Sequence, residues 1–139
     1  VNTTTLKIPG HCPSKKNHYR TTFRDKRGRP LPYARLTKDD MVKTYEYKAV
    51  LLLRSQWGGP PLAERVRVHI YVDYFRNEPD DVGVAETVYD ALQAAGVVAH
   101  DRLLCLWGEP AIYRHKVAGR ADEGVAITLR WGEPAAAPQ

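Results

Sequence analysis

The chain has 139 residues, 43% hydrophobic and 27% charged, with a formal net charge of +5. That length suits one globular domain with a core of its own, and no apolar run approaches the roughly 20 residues a membrane-spanning helix needs. Cys12 and Cys105 stand far apart and outside any CxxC spacing, which argues against a disulfide framework or a zinc knuckle and reads as two reduced thiols.

The opening residues VNTTTLKIPG lack the charged-then-apolar build of a secretion signal, so a cytoplasmic setting is expected. Residues 3–8 alternate enough for a first strand, after which Pro9, Gly10 and Pro13 force an irregular segment. Between residues 14 and 38 stand Lys15, Lys16, Arg20, Arg24, Lys26, Arg27, Arg29, Arg35 and Lys38, opposed by Asp25 alone. That segment carries +8, which leaves −3 for the rest of a chain whose total is +5. Asn17, His18, Tyr19, Phe23 and Tyr33 are interleaved with the cations, a mixture suited to phosphates and unstacked bases; a solvated charged loop is the plainer reading.

Residues 19–24 and 32–36 read as two short strands joined through a turn at Arg27, Gly28 and Arg29. From Thr37, a candidate N-cap, to Trp57 the pattern turns helical, with Met41, Tyr45, Lys48, Ala49 and Leu52 at helical spacing. Residues 66–72 alternate as a half-buried strand. Val84, Val88, Ala91, Leu92 and Ala95 then form the apolar stripe of a second helix that ends at Gly96. Residues 103–107 and 111–116 suggest a hairpin, and residues 124–131 a last strand. The expected fold is α+β: one domain over residues 1–131, a mixed β-sheet covered by two main helices, and a disordered tail at 132–139.

Acidic residues flank the second helix: Asp80, Asp81 and Glu86 at its start, Asp101 just past its end. Two explanations compete. Helix capping and the macrodipole favour acids at the first end. A divalent cation wants hard oxygen ligands, and gathered carboxylates would supply them. About 14 helical residues span roughly 20 Å, so spacing alone does not make the two ends converge.

An ordered series of motifs resembles the RusA-like family of Holliday junction resolvases. The series comprises a first strand ending in IPG, the segment PSKKNHYR, a helix after a short hairpin, a strand, the aspartates, a helix containing YDALQAAGVV, and His100-Asp101. The resemblance implies a homodimeric, Mg²⁺-dependent endonuclease, with Mn²⁺ a possible substitute, that binds branched DNA and nicks four-way junctions symmetrically. In such an enzyme the metal acts as Lewis acid on the scissile phosphate and lowers the pKa of the attacking water. The family's D-x-D-N, Lys and D-D pattern puts Asp80 and Asp101 at matching positions. Val82, Gly83, Glu86 and His100 fall where Asp, Asn, Lys and Asp are expected.

Two readings follow from these departures. In the first, Asp80, Asp81 and Asp101 hold Mg²⁺ while Glu86 ligates or orients water, with His100 as an alternative proton acceptor. In the second, the scaffold and its DNA surface persist without cleavage. In both, Lys15, Lys16, Asn17, His18, Arg20, Arg24, Lys26, Arg27 and Arg29 are DNA contacts implied by the resemblance and by charge. Arg76 either binds a phosphate or pairs with Glu78. Tyr19 and Phe23 read more readily as core rings than as stacking rings, and Trp57, Trp107 and Trp131 are assigned to packing.

Overall fold

The computed structural model describes residues 1–13, 19–38 and 40–132. In chain order the elements are β1 (Asn2–Pro9), β2 (Tyr19–Arg24), β3 (Pro30–Lys38), α1 (Asp40–Trp57), β4 (Val66–Tyr74), α2 (Asp81–Ala94), β5 (Leu104–Leu106), β6 (Ile112–Lys116) and β7 (Gly124–Trp131). The main sheet runs β1-β7-β4, with β5 and β6 both on the far side of β4; β2 and β3 form a separate two-stranded sheet. β7 is antiparallel to β1 and β4, whereas β5 and β6 are parallel to β4, so the sheet is mixed and the fold is α+β as expected. Of the expected tail at 132–139, Gly132 is described and residues 133–139 lie outside the described residues.

Alternation along β4 sends Val66, Val68, Ile70 and Val72 to one face of the sheet, where they pack with Leu6, Ile8, Val125, Ile127 and Leu129 beneath the helices. α2 contributes the whole expected stripe, Val84, Val88, Ala91, Leu92 and Ala95, all buried. On α1 the buried row is Val42, Tyr45, Ala49 and Leu53, whereas Met41 is 53% exposed. The expected stripe there was thus rotated by about one residue. Trp57 and Trp131 meet edge to face, with ring centroids 5.4 Å apart, and close one end of the core. Thr37, expected to cap α1, belongs to β3, where it pairs with Arg20, and α1 begins only at Asp40.

α2 ends through paired reverse bonds: Gly96 N donates to Gln93 O at 3.1 Å and Val97 N to Leu92 O at 3.0 Å. Gly96 carries φ +74°, the left-handed conformation that this closure requires. Val97 and Leu92, the residues bonded by the outer reach, are both buried, so the closure also carries an apolar contact.

The expected hairpin at 103–116 is absent. Val66 pairs with Leu104, Val68 with Leu106 and Ile70 with Ile112, so β5 and β6 run in one direction as a single interrupted edge strand. Residues 107–111 loop out between them, anchored where Trp107 N donates to Val68 O at 2.8 Å and Ile70 N donates to Ala111 O at 3.0 Å. Gly108-Glu109-Pro110 is a turn signal, but here it makes an excursion rather than a reversal. Gly108 has φ +118°, and a Cβ there would stand 2.8 Å from His69 Nδ1, so a glycine is needed for this loop to lie against β4.

Candidate functional site

The C-terminal end of β4 leads directly into the head of α2, and several charged groups meet there. Asp80 is the N-cap: its Oδ2 accepts from Gly83 N at 3.1 Å, satisfying one of the helix's orphan donors. Arg114, from β6, reaches across to Glu78 at 3.3 Å and to Asp81 at 3.4 Å, and donates to Pro79 O at 3.1 Å. Of the two readings of Arg76, the pair with Glu78 gives way to Arg114, while the Arg76 guanidinium lies 5.3 Å from the Phe75 ring centroid.

The chain that enters the basic segment is tied to the same place. The buried Thr87 hydroxyl lies 2.9 Å from Gly83 O and 3.2 Å from Pro13 O, which brings residue 13 onto the first turns of α2. Beside it His11 Nδ1 lies 2.9 Å from Glu123 Oε2, and Gly10 N donates to Glu123 O at 2.8 Å. A cleft of about 290 Å³ opens here, lined by His11, Phe75, Arg76, Asn77, Arg120 and Glu123.

Asp101 is elsewhere. It sits past the other end of α2, where its N–H donates to Gln93 Oε1 at 2.8 Å and its Oδ1 lies 3.1 Å from His100 Nδ1. Gly83 and Gln93, the α2 residues that Asp80 and Asp101 touch, are ten positions apart, about 15 Å along a helix axis. Glu86 lies exposed beyond the first turn, whose acid is Asp81. Asp101 instead faces a groove of about 610 Å³ between α1 and α2, with Lys43, Glu46, Tyr47, Asp90 and Gln93.

Among the described residues no three His, Cys, Asp or Glu side chains are grouped so as to hold a metal ion. Asp80 and Asp81 stand at the head of α2 and Glu86 just beyond its first turn, whereas Asp101 lies past its far end, so one chain does not bring the four acids of the rearranged set around one point. Val82, 56% exposed, and Gly83 add no side-chain oxygen.

The β2–β3 hairpin carries the basic surface. Its turn is organised by Asp25, whose Oδ1 accepts from Arg27 N and Arg29 N, both at 2.9 Å, and whose Oδ2 accepts from Arg29 Nε at 3.2 Å. Arg24 Nη1 donates to Gly28 O at 2.9 Å, and Arg24, Lys26, Arg27 and Arg29 are all exposed around this turn. Phe23, expected in the core, is 66% exposed beside them. Arg20 lies on β2, opposite Thr37, whereas Lys15, Lys16, Asn17 and His18 lie outside the described residues.

Sequence reasoning passed over Arg114 and the His11–Glu123 pair. Arg114 shares the strand parity of buried Ile112 yet stands at the sheet edge, and its partners are fixed by β6 pairing in parallel with β4, which the residue pattern does not disclose. No protein-family model and no curated protein matches the chain.

Proposed function

We propose that this protein binds branched DNA, four-way junctions included, as a structure-selective binder on a RusA-like scaffold. The observation that carries this reading is the hairpin turn, where four exposed cations surround a single carboxylate already engaged in shaping the turn. Phosphates meeting such a surface release counterions, and binding strength follows from that release. Arg76 and Arg120, lining the cleft at the head of α2, extend the cationic ground toward the start of the basic segment. A homodimer in the cytoplasm belongs to the same proposal, because two linked copies suit the approximate twofold symmetry of a junction.

Cleavage is kept as a second reading. It is favoured by the position of Asp80 and Asp81 at the head of α2, beside the residues that lead into the basic segment. For a Mg²⁺- or Mn²⁺-dependent nuclease the acids at the two ends of α2 would have to be completed by a second chain, and no step is assigned to them.

A labelled four-way junction and a linear duplex of the same sequence, each incubated with the full chain and Mg²⁺ or Mn²⁺, separate these readings. Tighter binding of the junction without nicking is the expected result. Equal affinity for the two DNAs would remove structure selectivity. Paired nicks abolished by both Asp80→Asn and Asp101→Asn would install the nuclease.

A further inference from the structure

The helices cover one face of the main sheet; the other face is open, and its composition points to a ligand. The registers align Tyr113 of β6, Tyr71 of β4, Ala126 of β7 and Lys7 of β1 in one row across that face. Tyr71 and Tyr113 stack on each other, with ring centroids 4.9 Å apart and planes 22° apart, while remaining 37% and 42% exposed. Two aromatic rings held together in water on a sheet surface form a platform that a planar group can extend. Ala126 leaves a shallow gap beside them. Lys7 then stands two strands from Tyr71, about 10 Å at ordinary strand spacing.

The neighbouring rows have matching chemistry. One carries His69, Thr128 and Thr5, the two threonine hydroxyls 3.1 Å apart, and so offers hydrogen-bonding groups without fixed charge. The next carries Arg67 and Arg130, and the Arg130 guanidinium lies 5.2 Å from the centroid of Trp107, itself 40% exposed. Among the described residues the carboxylate on this face is Asp73, and it lies 3.2 Å from His115 Nδ1. Stacked rings, hydroxyls and cations on one surface match the bases, sugars and phosphates of an unpaired strand.

We infer that the open sheet face, centred on Tyr71 and Tyr113, binds single-stranded DNA by base stacking, with exposed Lys7 receiving a phosphate. The choice of DNA over RNA rests on the branched-DNA reading above; the stacking site does not. The site is distinct from the basic hairpin, which belongs to the other sheet.

The test uses the full chain and three labelled probes: a ten-nucleotide oligo(dT), the same length of oligo(rU), and a four-way junction with fully paired arms. Tyr71→Ala/Tyr113→Ala should weaken oligo(dT) binding by about tenfold or more, whereas Tyr71→Phe/Tyr113→Phe, which keeps both rings, should stay within about threefold of the parent. Junction binding should be unchanged in both. Failure of the parent to bind oligo(dT), or equal binding by the alanine pair, overturns the inference. Tighter binding of oligo(rU) than oligo(dT) overturns its commitment to DNA. Self-association of the parent that the alanine pair abolishes, measured by sedimentation, assigns the face to a second copy instead. Oligo(dT) binding without junction binding would sink the proposed function and leave the stacking site standing.

Discussion

Asp80 meets a demand that every helix makes, since the first N–H groups of α2 have no partner within the helix and its carboxylate supplies one to Gly83. Asp80→Ala should therefore cost about 1 kcal/mol in chemical denaturation, and Asp80→Asn, which keeps an accepting oxygen, should recover most of that. Asp101 caps nothing on α2, so Asp101→Asn should leave the denaturation midpoint nearly unmoved. Cys12 tells a different story. Burial pushes its thiol up to about 12 from an ordinary 9.0, partly opposed by the Tyr45 hydroxyl, and Tyr45 is itself pushed well above 10.0 by the same burial. The unfolded chain releases the Cys12 proton near its ordinary value while the folded chain holds it. Stability is thus fully present below pH 9.0 and falls as pH rises toward about 12, by roughly 1 kcal/mol per pH unit. Denaturant midpoints between pH 8 and 11 should show this fall, and Cys12→Ala should flatten the part that begins at the lower pH.

Both ends of α2 were legible because local chemistry determines them. An aspartate before a periodic stripe and a glycine after it are sufficient, and the closure at Gly96 follows from the residues alone. A Cβ at Gly96 would meet nothing within 4 Å, so the penalty for Gly96→Ala lies wholly in its backbone conformation, about 1 kcal/mol in thermal unfolding. The β5–β6 edge was not legible. Gly108 and Pro110 write a turn into the sequence, but whether a turn reverses the chain depends on which strand receives it, and that strand lies more than 30 residues earlier. The same long-range pairing hid Arg114 and decided that Trp107, assigned to packing, packs against Arg130 at the surface. In the hairpin, Lys26 and Arg27 side chains are exposed around a turn whose bonds come from Asp25, Arg24, Arg29 and the backbone. Lys26→Ala/Arg27→Ala should leave stability within about 0.5 kcal/mol. It should also reduce the log-log salt slope of junction binding by about 2, one phosphate contact for each cation removed.

At the scale of the whole molecule, charge and aromatic surface are divided between two sheets. The segment from residue 14 to 38 holds +8 of formal charge while the remainder is acidic on balance, so under the proposed DNA-binding reading this segment, which includes the hairpin, would dominate long-range attraction even though the sheet face carries cations of its own. This division was half legible: the run of lysines and arginines is plain in the sequence, whereas the tyrosine row exists only once β6 is registered against β4 and β7 against β1. Surfaces that share no side chain contribute independently to binding, and sites without shared partners add within about 0.5 kcal/mol. A four-way junction with one single-stranded flap presents both ligands at once. On that probe the Lys26→Ala/Arg27→Ala pair and the Tyr71→Ala/Tyr113→Ala pair should each weaken binding, and the four-residue variant should lose the product of the two factors. The first pair should flatten the salt dependence and the second should leave it nearly as steep, because stacking releases few counterions. A combined loss smaller than the product would mean that hairpin and sheet face grip the same stretch of DNA, which would require the two sheets to act as one continuous surface.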